Sequence, residues 1–396
     1  MRGLTRRFSM TSTLSLQTDI RKIQTFRVMD NQGKLLDKNQ KFSSEEVDIF
    51  KKIYRKMNEV EKIDNVLLSK QRNGVISFYM TSYGETGFIL GTAAAMNPND
   101  MIFSQYREMA ALYWRGFTIK QITDNCTCNK FDQNKGRQMP IHFSSSKHSF
   151  FSISSPLATQ LSQASGYGFG LRTKKDPTIA VAYTGEGAAS EGDFYAALNF
   201  AQTLKSKTLF LCRNNQFAIS TPIEEQTSGD NILPKAMSFG MKSLRVDGND
   251  AVATYLASKF MRKLIDEEGK PGFIEGLTYR ISDHSTSDDS KRYRSEQSIN
   301  TWKTTNNPIS RLRSFLLGQE MMTAQEDKLM TQDFEQIEEK TRKMLSESSE
   351  KDLSFGSFEE LFEDVYSHPT SNLIAQKKNL MDHVSRHKEE YEKLIH

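Results

Sequence analysis

Two hydrophobic periods alternate along this chain, and their order predicts its architecture. Residues 178–183 and 208–212 are short β-branched and apolar runs, and the stretch 194–204 between them has helical spacing. Strand, helix and strand in that order form one βαβ unit of a parallel sheet. Further strands are expected at 102–103, 244–246 and 273–279, and helices at 84–95, 110–115 and 251–268. Upstream, Ser43 or Ser44 can cap a helix over 44–57, with Glu45 and Glu46 in its first turn. A second helix is expected over 58–67, where Val60, Ile63, Val66 and Leu67 recur at helical spacing. Residues 280–307 are polar and predict a loop. Helix is expected at 308–322, followed by charged helix broken near Ser367-His368-Pro369. The pattern is α/β: a mostly parallel sheet with helices on both faces, an N-terminal arm and a helical C-terminal region.

Composition narrows the setting. A net charge of +4 on 396 residues, with no Lys/Arg stripe beside exposed aromatics, gives no case for a nucleic-acid partner. No apolar run is long enough to span a membrane. The positive excess lies at the start, where residues 1–16 hold Arg2, Arg6 and Arg7, many Ser and Thr, and no acid. That is the composition of a mitochondrial presequence, and Arg6-Arg7-Phe8-Ser9 resembles a processing site. The mitochondrial matrix is therefore the expected location. Cys126, Cys128 and Cys212 are too few and too odd for a disulfide framework, and Cys126-Thr127-Cys128 has no second ligand pair for zinc. The expected division is a leader over 1–20, arm and helices over 21–75, the α/β domain over 76–330 and a helical region over 331–396.

The candidate chemistry sits at the ends of the two strands of the βαβ unit. The first runs into Gly185-Glu186-Gly187-Ala188-Ala189-Ser190-Glu191-Gly192-Asp193, and the second ends at Arg213-Asn214-Asn215. Parallel sheets bind ligands beyond the carboxyl ends of their strands, so Glu186 and Asn215 can converge on one point. Two glycines beside the carboxylate let backbone approach a ligand closely. A helix starting near Ala189 would aim free N–H groups there, which suits a phosphate. Hard oxygen donors beside a phosphate suggest Mg²⁺, which takes its remaining ligands from phosphate and water. Arg107, in Tyr106-Arg107-Glu108, is either a phosphate contact or an ion-pair partner of Glu108. Ser154-Ser155-Pro156 also reads as a helix start, with a serine cap and proline in the first turn. Gly166, Gly168 and Gly170 imitate a dinucleotide motif, but no strand precedes them, and close helix packing explains them better.

These motifs resemble the α subunit of the branched-chain 2-oxo acid dehydrogenase E1 component, a thiamin-diphosphate-dependent family. The resemblance rests on GEGAASEGD, CRNN and the string His284-Ser285-Thr286-Ser287-Asp288-Asp289-Ser290. It implies the thiamin-diphosphate-binding fold and thiamin-dependent oxidative decarboxylation of branched-chain 2-oxo acids, with reductive acylation of lipoyl groups on an E2 core. Pyruvate- or acetoin-type α subunits, or a degenerate assembly subunit, are the alternatives. The resemblance places Tyr106, Arg107, Ser155, Leu157, Gly185, Glu186, Gly187, Ala188, Arg213, Asn215 and His284 on the cofactor. It makes Glu186, Asn215 and the Phe217 backbone oxygen the Mg²⁺ ligands, and gives Ser154, Pro156, Thr159 and Gln160 to K⁺. His284 becomes the catalytic proton carrier, an imidazole expected near pH 7, whose pKa Asp283 could raise by approach. Ser285 and Ser295 match phosphorylation sites, which brings in a regulatory kinase and phosphatase. Gln216 stands where the family has glycine, and costs roughly 1 kcal/mol if that position needs a positive φ. The family activates the aminopyrimidine with a glutamate of the β subunit. This chain shows no such half-site, so an α₂β₂ assembly is expected, inactive as α alone.

Overall fold

Residues 23–350 and 358–391 are described by the structure, a computed structural model, apart from the side chains of 349 and 350. The expected leader lies outside these residues. In chain order the main elements are β1 (Thr25–Phe26), α1 (Ser44–Arg72), α2 (Thr86–Ala94), β2 (Met101–Phe103), α3 (Met109–Trp114), α4 (Ile119–Cys126), α5 (Thr159–Lys174), β3 (Ala180–Gly185), α6 (Gly192–Leu204) and β4 (Thr208–Asn214). There follow β5 (Phe217–Ala218), β6 (Thr221–Pro222), α7 (Ile223–Gln226), α8 (Leu233–Ser238), β7 (Lys242–Asp247), α9 (Ala251–Glu268), β8 (Gly272–Leu277), α10 (Glu296–Thr305), α11 (Pro308–Gly318) and α12 (Ala324–Glu350). Short helices α13 (Glu360–Glu363) and α15 (Lys388–Tyr391) flank α14 (Ser371–Arg386).

Six strands make one sheet in the order β1-β7-β8-β4-β3-β2, and every neighbouring pair is parallel. Alternation along each strand feeds two cores. Val181, Tyr183, Leu209, Leu211 and Ile274 face α1, α2 and α9. Ala180, Ala182, Phe210, Cys212 and Phe273 face α5, α6 and α8. The expected helices on both faces are present, as both cores require. Small residues on the second face let α5 come close: a Cβ on Gly168 would lie 2.4 Å from the Thr208 hydroxyl. Gly166 and Gly170 face open space, so close packing accounts for only one of the three glycines.

Local structure departs from the sequence expectation in several places. The helices expected over 44–57 and 58–67 are one helix, α1. Its apolar face runs unbroken through Phe50, Ile53, Met57, Val60, Ile63 and Leu67. Asn58 does not interrupt it, because its amide donates to Tyr54 O at 2.8 Å inside the same helix. Ser43 is the N-cap and forms a capping box with Glu46. The polar stretch after β8 holds a helix, α10, which Ser295 caps by accepting from Ser298 N at 3.2 Å. The Ser-Pro pair does not cap α5, which begins at Thr159 behind Ala158 in a left-handed conformation. The 330/331 boundary falls inside α12, whose Ser348 donates to Asp124 of α4 at 2.9 Å.

Gly276 shows how tightly the sheet and α2 meet. A Cβ there would lie 2.2 Å from two ring carbons of Phe88, which is itself fully buried. Gly276→Ala is expected to cost about 1–3 kcal/mol through overpacking. Denaturant unfolding measures it, and an unchanged midpoint would show that the interface has slack.

Candidate active site

β2, β3, β4 and β8 are neighbours in the sheet, and the loops they release from one edge converge on a cavity of about 390 Å³. This is the carboxyl-end crevice of an open parallel sheet. Gln105 and Tyr106 reach it after β2, Gly185 through Ala188 after β3, and His284 after β8. Arg213, at the end of β4, lines it with Asn215 and Phe217 just beyond, while His142, Ser155 and Leu157 come from the long segment before α5.

The pairing of β3 with β4 brings Gly185 opposite Arg213, which sets Glu186 beside the asparagines. The Asn215 backbone N–H donates to Glu186 Oε2 at 3.1 Å. Burial pushes the Glu186 carboxyl up, and Asn215 N–H and Arg213 oppose that. Asn215 Oδ1 accepts from Phe217 N at 3.2 Å, and the Phe217 carbonyl accepts from Arg280 Nη1 at 3.3 Å. An amide oxygen and a backbone carbonyl therefore lie along one short turn, with the Glu186 carboxylate bonded to its first N–H. Gln216 holds a φ of +72°, the left-handed geometry that glycine would adopt without strain. Its N–H donates to Asn214 Oδ1 at 3.1 Å, which helps keep it there. The α-helix that follows does not start near Ala189: a single 3-10 turn over Ala188–Ser190 is broken by extended Glu191 before α6.

Arg213 is fully buried. Its Nε and Nη2 donate to Glu108 Oε1 at 3.1 and 2.9 Å, and its Nη1 donates to Glu85. Burial opposes its charge, but the two carboxylates more than offset that and hold it protonated. Glu108 thus pairs with Arg213 and not with its neighbour Arg107. Its other oxygen accepts from Ser104 Oγ, Gln105 N and Tyr106 N. Arg107 stands behind His284 and does not line the cavity: it donates to Thr81 O at 2.8 Å and to His284 O at 2.7 Å.

His284 is clamped between two guanidinium groups. Its Nδ1 is 3.2 Å from Arg107 Nη2 and 3.3 Å from Arg280 Nη1, and its ring meets Tyr106 edge-on. Burial first, then the charges of Arg107 and Arg280, push its pKa down to about 3. The expected near-neutral value does not hold in the free chain. Nor does Asp283 approach the ring, since its carboxylate accepts from Ser290 N and Oγ. Asp288 is the nearer acid, and it accepts from His284 N at 2.7 Å.

The remaining expected residues lie outside the cavity. At the start of α5, Thr159 donates to Pro156 O at 3.0 Å and Gln160 to Tyr183 O at 2.9 Å. Ser285 lines a separate cavity of about 320 Å³ with Arg72, Asp283 and Asp288. Sequence reasoning missed Glu85, Gln105 and Arg280. Glu85 is a lone acid ahead of the uncharged helix α2, a signal that was available. Gln105, whose Oε1 accepts from Gly185 N at 2.6 Å, gave no such signal.

Comparison with known proteins gives one answer over nearly the whole chain. Residues 54–352 match the family described as Dehydrogenase E1 component. The protein "2-oxoisovalerate dehydrogenase subunit alpha, mitochondrial" of Dictyostelium discoideum is 44% identical over 396 residues, covering 98% of this chain and 87% of that protein. The proteins of the same name from Caenorhabditis elegans and Homo sapiens are 42% and 40% identical, covering 92% and 93% of this chain and 84% and 82% of theirs. With its parallel sheet and its carboxyl-end cluster of Glu186, Asn215 and His284, the chain belongs to the dehydrogenase E1 component family.

Proposed function

We propose that this chain is the α subunit of a branched-chain 2-oxo acid dehydrogenase E1. It works with a β subunit as α₂β₂ in the mitochondrial matrix, and passes acyl groups to lipoyl-bearing E2. The observation that carries this reading is the meeting of Glu186, Asn215, Arg213 and His284 on one cavity, in a chain 40–44% identical to proteins named for that activity. Those names, together with the intact cluster, weigh against a pyruvate- or acetoin-type subunit and against a non-catalytic one.

Thiamin diphosphate, when bound, supplies the nucleophilic carbon and the electron sink. The residues fit it. Glu186, Asn215 Oδ1 and the Phe217 carbonyl form a three-oxygen set suited to Mg²⁺, which leaves its other positions to phosphate and water. Glu85 Oε1 is buried and accepts no hydrogen bond; its nearest cation is Arg107 Nε at 3.9 Å. Arg213 spends three of its five N–H groups on Glu85 and Glu108 and keeps two for an anion. Tyr106 and the backbone from Gly185 to Ala188 complete the diphosphate side, with Arg107 behind. Ser155 and Leu157 support the organic part. Ser154, Pro156, Thr159 and Gln160 are the proposed K⁺ set.

Three further features fit the reading. Met139, Leu157 and Ile219 line the cavity with their side chains exposed, an apolar rim that a β subunit would cover. Phosphate on Ser285 would lie beside Asp283 and Asp288, and like-charge repulsion would loosen the loop that carries His284. A kinase and phosphatase acting there, or on the α10 cap Ser295, would regulate the site.

Glu186→Ala and Asn215→Ala are expected to abolish Mg²⁺-dependent binding of thiamin diphosphate while the circular dichroism stays native. Undiminished affinity in either variant removes it from the metal site. The isolated chain is expected to show no decarboxylation until a β subunit is added, and steady turnover by α alone would refute the shared-site reading. His284 should remain neutral from pH 8 down to about pH 5 in the isolated chain, as read from its ring resonances. Its folded value lies below its ordinary 6.5, so the stability it contributes is complete above that value and is lost as pH falls toward about 3. Replacing Arg107 with leucine should move its titration upward. Titration near pH 6.5 in the parent would contradict the clamp.

A further inference from the structure

His142 lines the same cavity as Ser155 but has been given no role. The residue is 6% exposed. Nδ1 lies 3.2 Å from the Pro140 carbonyl, and Nε2 lies 2.9 Å from Ser155 Oγ. The backbone around it is held firmly. Asn134 Nδ2 donates to His142 O at 3.0 Å, and His142 N donates to Met139 O at 3.1 Å. Ile141, just before it, is a β-branched residue at φ +64°, kept there by a bond from its N–H to Asn125 Oδ1 at 2.9 Å. Strain of that kind persists only where the surroundings over-determine it.

The Pro140 carbonyl fixes the direction of one bond, and in the neutral ring that fixes the other. A carbonyl only accepts, so Nδ1 carries the hydrogen of the neutral imidazole. Nε2 is then an acceptor, and the Ser155 hydroxyl must donate to it. The hydrogen of Ser155 is thereby committed, and only its oxygen lone pairs remain for the cavity. A group that bonds to Ser155 must bring its own hydrogen, as an amine or a hydroxyl does. A carboxylate or an unreacted carbonyl oxygen cannot satisfy it, so the 2-oxo acid end of a substrate is excluded from this position.

We infer that His142 is a positioning residue that makes Ser155 a hydrogen-bond acceptor, and so selects a donor group of the cofactor or of the cofactor-bound substrate at that wall. The inference rests on the cofactor site proposed above, but its first test does not. In the full chain labelled with ¹⁵N at histidine and free of cofactor, the ring absent from the spectrum of His142→Phe should show the Nδ1–H tautomer. Ser155→Ala should shift its Nε2 resonance. An Nε2–H tautomer or a doubly protonated ring would overturn the inference whatever the enzyme does.

The second test uses the tetramer reconstituted with its β subunit. His142→Phe should lower kcat about 10- to 100-fold, with the affinity for thiamin diphosphate changed less than about three-fold. His142→Gln, whose side-chain oxygen can accept from Ser155, should recover most of that loss. On the Ser155→Ala background, His142→Phe should cost nothing more. An equal penalty on both backgrounds would mean that His142 acts independently of Ser155, and the inference fails. If His142→Phe does not fold, His142→Gln assigns the ring by its absence and Ser155→Ala decides through the shift of its Nε2 resonance. A parent tetramer without decarboxylase activity would sink the proposed function while the tautomer result stood.

Discussion

One buried ion cluster organises the functional edge of this molecule. Arg213, at the end of β4, is enclosed between Glu85 at the start of α2 and Glu108 at the start of α3, and none of the three side chains is more than 1% exposed. A guanidinium buried so fully is tolerable only with paired, hydrogen-bonded carboxylates around it. Removing one partner from such a pair commonly costs about 3–5 kcal/mol. The cluster extends directly into the site. Glu85 also accepts from Asn215 Nδ2 at 3.1 Å, and Glu108 gathers three donors of the Ser104–Tyr106 turn. The same charges that hold three chain segments together thus orient the amide beside Glu186 and the tyrosine beside His284.

A second tie joins the two loops on the other side of the cavity. Arg280 is fully buried and donates to Ile219 O at 2.6 Å, to Tyr293 OH at 2.7 Å and to Phe217 O at 3.3 Å. It brings the turn after β4 against the loop after β8, and places its charge beside His284. Glu85, Glu108, Glu186 and Asp288 lie among Arg107, Arg213 and Arg280 around the site, and Asp288 is 4.0 Å from Arg280.

Four of the eleven left-handed non-glycine residues among those described lie at this cavity. Ile141, Ala158, Gln216 and Ile219 all have positive φ without being glycine, and each lines the cavity or adjoins a residue that does. Each such residue costs about 1–2 kcal/mol. Buried bonds offset that cost: Ile141 N–H to Asn125, Gln216 N–H to Asn214, and Ile219 O from Arg280. The central strands beneath carry no such residue among those described.

The sequence by itself determined the parallel α/β class, the βαβ unit and the capped start of α1, because local periodicity and cap chemistry encode these. It also marked Glu186 and Asn215, since each lies in a short motif at a strand exit, whereas His284 was marked only by the family resemblance of its string. Only the tertiary structure decided which charges pair, why His284 is neutral, and which way Ser155 points its hydrogen. Glu85 and Arg213 are 128 residues apart, and Glu108 and Arg213 are 105 apart. No local period links them. Their pairing follows from the order in which six strands assemble, and a pKa in a buried site depends on whichever charges that order brings within a few ångströms.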